Sequence, residues 1–390
     1  MSCRHSALLL GAAILAAPAC ADPLTNVTLY GVLDDAFVHV SNQNGLSNNY
    51  FRNGNYSNSK IGFKGNEDLG DGTSALFVLE AGYDINTGAA QQSGSLFNRQ
   101  AYVGLRNDRL GQVTIGRGYT PYYLLVGTLA MDDALTGATG AHPGDYDDLD
   151  IVTRVSNNVT YTTPKMGGLV ASVLAGSGEV AGHNGAGSTY SAALRYDQAR
   201  WQVGAGYLMM KNGVKSGVWD PASSASFASS PINTGYLSAA SIQHIAIAAR
   251  YALTPHWTLM ANASNSQFRP GAASLFKDTA LFNSQQAIVT WHGALPFSLS
   301  AGYSYTKAHA ANGIHDPANY RQLSLEELFP LSKRTVIYVT QAYQKARGQT
   351  LGADGSTAVN AVAAVGDAEN STPSNSPSQH VLMLGISHSF

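Results

Sequence analysis

The end of the chain sets the pattern. Leu382, Leu384, Ile386, His388 and Phe390 fall on one face of an extended segment, and Met383, Gly385, Ser387 and Ser389 fall on the other. A side-chain period of two is the signature of a strand with two unlike faces. Similar alternation, bounded by turn-forming residues, predicts strands over 25–40, 57–65, 73–84, 96–106, 111–118, 153–163, 168–177, 187–197, 200–210, 241–252, 256–267, 284–292, 297–307, 319–328, 334–345 and 379–390. That is sixteen strands.

Their connections alternate in length. Short links such as 107–110, 164–167, 198–199 and 253–255 alternate with long polar segments at 41–56, 85–95, 119–152, 211–240, 268–283 and 346–378. Tight turns on one side and long loops on the other form the up-and-down layout of a bacterial outer-membrane barrel, and an even strand number returns both termini to the periplasmic side. Tyr30, Tyr161, Tyr196, Trp201, Tyr251, Trp257, Trp291, Tyr303 and Tyr338 lie near strand ends, where an amphipathic ring suits the membrane interface.

Composition narrows the reading. The chain is 44% hydrophobic and only 12% charged, with 40 glycines and 20 tyrosines, and no apolar run beyond the N-terminus approaches a membrane-spanning helix. A bilayer accepts only helices or closed barrels, because no water is present to satisfy an open backbone edge. A soluble sandwich or propeller is the rival on composition alone. At the N-terminus, Arg4 and His5 precede an apolar run from Ala7 to Ala17, and Ala19-Cys20-Ala21 offers a small-residue cleavage site. Residues 1–21 therefore read as a signal peptide and 22–390 as one barrel domain. Cys3 and Cys20 both lie in the leader, so no disulfide or thiolate site is expected. Removing Arg4 from the formal net charge of −2 leaves −3, which argues against a nucleic-acid partner. No histidine pair has metal-ligand spacing with a third ligand nearby, so no metal or other cofactor is expected.

Several segments resemble a known family. Val27-Thr28-Leu29-Tyr30-Gly31-Val32-Leu33-Asp34, Ser59-Lys60-Ile61-Gly62-Phe63-Lys64-Gly65 with Asn66-Glu67-Asp68-Leu69-Gly70, and Leu96-Phe97-Asn98-Arg99-Gln100-Ala101-Tyr102 come in the family's order. So do Val113 to Arg117, Arg154 to Tyr161, Leu331 to Thr335, and the closing Leu384 to Phe390. They resemble the general trimeric porins of Gram-negative bacteria, of the neisserial and Burkholderia type. The resemblance implies a 16-stranded antiparallel transmembrane β-barrel with an inward-folded third loop. It also implies a homotrimer in contact with outer-membrane lipid and lipopolysaccharide, passing small hydrophilic solutes and ions by passive diffusion.

On that reading the pore lining is the site. Lys60 shares a face with Gly62 and Lys64, and Arg154 with Ser156, Asn158 and Thr160, while Arg99 faces away from Tyr102. A basic side chain at mid-membrane on the lipid face costs about 2–4 kcal/mol, so these three are expected inside. Their positions match the family's basic constriction wall. Arg117 is the fourth candidate, although its parity sets it beside Val113 and Ile115. The opposing wall is expected from segment 119–152, chiefly Asp132 and Asp133. Asp145, Asp147, Asp148 and Asp150 form a second acidic group that the same wall could draw on, the alternative being a solvated loop or a calcium site. A sugar-selective channel with an aromatic ladder starting at Tyr119, Tyr122 and Tyr123 is the runner-up. An outer-membrane enzyme built on His142 with Asp145 or on His315-Asp316 ranks lower, because no nucleophile is defined, as does an adhesin acting through its loops. Ion sign, size limit and preferred solute are left open.

Overall fold

A computed structural model describes residues 26–131, 134–150, 153–293, 297–368 and 374–390. The expected signal peptide lies outside these residues, as do Asp132 and Asp133. The strands are β1 (Asn26–Gln43), β2 (Leu46–Asn53), β3 (Lys60–Gly70), β4 (Thr73–Gly82), β5 (Gln100–Asn107), β6 (Gly111–Tyr119), β7 (Arg154–Thr162), β8 (Leu169–Gly176), β9 (Thr189–Asp197) and β10 (Trp201–Lys211). They continue as β11 (Ser241–Thr254), β12 (Trp257–Arg269), β13 (Ala280–His292), β14 (Ser298–Ala308), β15 (Asn319–Pro330) and β16 (Thr335–Arg347). A loop hairpin of β17 (Gln349–Leu351) and β18 (Ala358–Asn360) precedes the last strand, β19 (Ser378–Ser389).

Each wall strand pairs antiparallel with its neighbours, and β19 pairs with β1 from Val32–Ser389 to Val40–Val381, which closes the sheet. The sheet contains 17 strands, but β2 and β3 both pair with β1 and occupy one position in series, leaving sixteen positions. Phe390 fastens the seam, its amide donating to Gly31 O at 3.1 Å and its carbonyl accepting from Gly31 N at 3.2 Å.

The period-two pattern sorts the faces. Leu323, Leu384 and Ile386 stand half exposed on the outside, while their neighbours Gln322, Ser324, Met383 and Ser387 are buried inside. Two expected loops carry strands: 346–378 holds the short β17–β18 hairpin, and 41–56 adds a strand to the wall. β1 runs on to Gln43, turns through Asn44 and Gly45, both at positive φ (51° and 103°), and returns as β2. Two central residues at positive φ make the hairpin turn that Asn-Gly favours.

Segment 120–153 crosses the inner face, and glycines on β10 leave room for it. A Cβ on Gly204 would stand 2.7 Å from Leu125 O, and one on Gly206 would stand 3.0 Å from both Tyr122 and Val126. Tyr122, Val126 and Leu129 are almost wholly buried there.

Opposite them, a level row of polar side chains supports the segment. Register aligns Asn262 with Gln286, Gln286 with Ser304, Ser304 with Gln322, Gln322 with Gln344, and Gln344 with Gln379, across six adjacent strands from β12 to β19. Their amides donate to loop carbonyls: Asn262 to Ala130 O (3.2 Å), Gln286 to Gly140 O (2.7 Å), and Gln322 to Thr139 O (2.9 Å). Gln344 grips Ala364 at both ends, accepting from its N–H at 2.7 Å and donating to its carbonyl at 3.0 Å, and Gln379 accepts from Val365 N at 2.9 Å. The last long loop is thus seated on the same row. Gly144 N, in the third loop, donates to Gly366 O at 2.9 Å and joins the two.

A branched side chain at Gly204 has to displace loop backbone, and such overpacking costs about 1–3 kcal/mol. Gly204→Val is expected to leave the barrel assembled but to expose 120–153 to protease. Unchanged cleavage of that segment would contradict the close packing described.

Candidate pore constriction

The bend at 54–58 and the two inward loops enclose a cavity of about 360 Å³. On the side of the bend it is bordered by Asn55, Tyr56, Asn58, Lys60 and Arg99, and on the loop side by Tyr123, Leu135 to Ala138, Asp150, Glu326 and Asp367. Basic groups therefore stand on one side and carboxylates on the other. Gly137 separates two of these carboxylates: a Cβ there would run into Asp150 Oδ2 and stand 2.9 Å from Asp367 Oδ2. Glu326 Oε2 accepts from Thr136 N at 3.1 Å, tying the wall to the loop.

Of the expected residues, Lys60 and Arg99 border this cavity. Arg99 is fully buried, and its Nε lies 3.1 Å from Glu80 Oε1 in an ion pair. Glu80 also accepts from Tyr30 OH and Tyr119 OH, each at 2.9 Å. Arg99 Nη1 donates to Gln91 at 3.2 Å. Arg154 begins β7 with its guanidinium 6.0 Å from the centre of the Tyr119 ring. It does not border the cavity.

Arg117 keeps the parity that sets it beside Val113 and Ile115, pairing with Ala101 in the unbroken β5–β6 register that pairs Ile115 with Val103 and Val113 with Leu105. Arg117 Nε donates to Asn98 O at 2.7 Å and Nη1 to Ser156 Oγ at 2.6 Å. The register shifts against β7 instead, where Asn158 to Val155 spans one residue more than Gly116 to Gly118 and Asn157 stands at φ 52°; the surplus residue makes a bulge there.

The second acidic group is not solvated. Asp145, Asp147, Asp148 and Asp150 are all buried. Asp145 accepts from Asp150 N and Asp148 from Thr153 N, each at 2.9 Å. Burial, then neighbouring carboxylates, push Asp145 well above the usual carboxylate range. Burial likewise pushes Asp148 up to about 7, against hydrogen bonds from Thr153. Burial acts on Asp147 in the same direction, but His142 beside it holds the carboxyl below its usual value. Among the described residues no cluster of His, Cys, Asp and Glu could hold a metal ion.

His142 pairs with Asp147 rather than Asp145, at 2.7 Å, with both side chains sealed from solvent. Ser264 Oγ donates to Asp147 Oδ2, the same oxygen that meets the imidazole, so Asp stands between Ser and His. A nucleophilic triad needs His in the middle. Tyr122 OH donates to Asp147 O at 3.0 Å and Tyr119 OH is committed to Glu80, so of the three tyrosines read as a ladder only Tyr123 reaches the cavity.

The molecule is thus a closed sixteen-position barrel, apolar outside and charged within, with its third loop packed on the inner face. A family model described as Gram-negative porin matches residues 6–349. The chain belongs to the Gram-negative porin family. An outer membrane porin protein of Bordetella pertussis is 35% identical over 175 residues, covering 41% of this chain and 45% of that one. A chitoporin of Vibrio furnissii is 31% identical over 170 residues, covering 42% of this chain and 43% of that one. The match thus spans less than half the length of either relative. The anion-selective porin from Comamonas acidovorans has the same fold, with a TM-score of 0.70 at 22% identity over 94% of this chain and all of that one.

Sequence reasoning missed Glu80, Glu326, Asp367 and the bend. Glu326 was legible, since it shares a face with Gln322 and Ser324, and a mid-strand carboxylate belongs inside. Asp367 sits in a polar loop with no periodicity to read.

Two outcomes follow for this porin. Arg99→Ala leaves buried Glu80 without its ion-pair partner, with the Lys60 charge still nearby; breaking a buried pair costs up to about 3–5 kcal/mol. The double variant Arg99→Ala/Glu80→Gln is expected to recover most of that loss in thermal unfolding. The proton held by Asp148 favours the docked loop fully below about pH 4, and that contribution is lost as pH rises through about 7, with Asp145 shifted in the same direction. Protease access to 120–153 is expected to increase over this range; a flat profile would show that these groups do not titrate with docking.

Proposed function

We propose that this porin is an outer-membrane channel through which small hydrophilic solutes and ions diffuse passively, and that it works as a homotrimer after removal of residues 1–21. The observation that carries the reading is the cavity of about 360 Å³ with Lys60 and Arg99 on one side and Asp150, Glu326 and Asp367 on the other. Charged side chains on facing walls structure the water in a pore and select by sign. In this reading Lys60 and Arg99 supply the basic lining at the cavity, Arg154 and Arg117 add basic charge away from it, and Asp132 and Asp133, outside the described residues, are assigned to the acidic wall. With three carboxylates against two cations at the cavity itself, and Glu80 offsetting Arg99, the lining disfavours strong anion preference.

Purified protein in planar lipid bilayers is expected to give stepwise, water-filled conductance in threes, and N-terminal sequencing to begin near Asp22. Asp367→Asn is expected to move the reversal potential in a salt gradient toward anions, and Lys60→Gln toward cations. A wild type that gives no current steps would overturn the reading. A sugar-selective channel is the second reading, favoured by Tyr56 and Tyr123 on the cavity wall; current block by chitin-derived oligosaccharides at low concentration would support it.

A further inference from the structure

Asp34 lies where its neighbouring strand leaves the ladder. Val32 pairs with Lys60 and Asp35 pairs with Asn53, so residues 54–59 stand opposite Leu33 and Asp34 alone. Six residues facing two cannot lie flat in the sheet. The surplus bows out as the bend whose residues Gly54 to Asn58 line the cavity.

Such a bend gives up its ladder partners, and buried backbone N–H groups need replacements. Asp34 supplies most of them. Its amide donates to Ser59 Oγ at 3.0 Å, and its carbonyl accepts from Gly54 N at 3.0 Å and Ser59 Oγ at 3.1 Å. Its carboxylate accepts three successive backbone N–H groups, from Asn55 at 2.6 Å, Tyr56 at 3.2 Å and Ser57 at 3.3 Å. Consecutive N–H groups that converge in this manner make a concave anion seat. Here the anion belongs to the wall and the seat belongs to the bend. Tyr338 OH on β16 donates to Asp34 Oδ1 at 3.0 Å, and the Tyr338 ring stacks on Tyr56 at 5.5 Å between centres. Asp34 is fully buried and does not itself border the cavity.

We propose that Asp34 is a positioning residue for conduction: its carboxylate holds the bend at 54–59 so that Asn55 to Asn58 form a fixed wall of the pore beside Lys60. This rests on the channel reading above. Asp34 does not meet the permeating ion; it acts through the bend.

The test is single-channel recording of the full-length protein in planar bilayers. Asp34→Ala is expected to assemble as a barrel but to show open-channel noise raised several-fold, a single current level split into sublevels, and a shifted reversal potential. Asp34→Asn keeps one acceptor oxygen for Asn55 and Tyr56 and loses the one for Ser57, so it is expected to fall between Asp34→Ala and wild type. Tyr338→Phe keeps the stacking and removes one donor, and is expected to show a smaller rise than Asp34→Ala. A loss of general stability alone would move unfolding temperature without this ordering in noise and ion preference. Wild-type noise, levels and reversal potential in Asp34→Ala overturn the proposal. Where Asp34→Ala fails to assemble, the other two variants decide, and wild-type traces from both overturn it. Absence of current from the wild type is a separate failure, which removes the channel reading and this proposal with it.

Discussion

Everything in this porin depends on the closing ladder between its first and last strands. A sheet with a free edge would leave a row of N–H and C=O groups facing hydrocarbon, and each such group costs several kcal/mol. The β1–β19 pairing removes that edge, with the chain end at Phe390 bonded on both sides to Gly31. Closure forces every strand to show one face to lipid and one to the lumen. The apolar outside and the polar inside are consequences of that single condition.

The lumen then meets a different problem, because an empty barrel of this size would be a wide hole. The inner face handles it with a row of amide side chains set by register rather than by a local motif. Asn262, Gln286, Gln322, Gln344 and Gln379 come from five strands and share one height only because the pairing aligns them. Glutamine suits the task, since one side chain both donates and accepts, as Gln344 does toward Ala364. The third and last loops are held there together, and the remaining space is bounded by the bend that Asp34 grips.

What was legible in the sequence follows from this division. Alternation located every wall strand except β2, because a wall strand has to repeat its two faces whatever it contacts; the short β17–β18 hairpin inside the last loop was missed as well. The miss at β2 came from reading the polar run 41–56 as a loop; the Asn44-Gly45 pair at its centre carries the hairpin signal that would have corrected it. The basic candidates could be named from parity alone, yet their partners could not. Glu80 reaches Arg99 across the β4–β5 side of the sheet, and Arg117 finds Asn98 and Ser156 on neighbouring segments that its own strand does not announce. Asp145, Asp147 and Asp148 could not be decided between the acidic wall and a solvated loop or calcium site, because nothing local in the sequence says that a loop will be buried inside its own barrel.

The amide row separates two properties that pores often couple. Its bonds join neutral side chains to backbone groups, and dissolved salt, which screens charges over about 10 Å at 0.1 M, has little hold on them. At the cavity, Arg99, Asp150, Glu326 and Asp367 are buried as well, so salt screens them far less than the partly exposed Lys60. In the channel proposed above, ionic strength would therefore weaken the field of Lys60 first while leaving the shape of the passage in place.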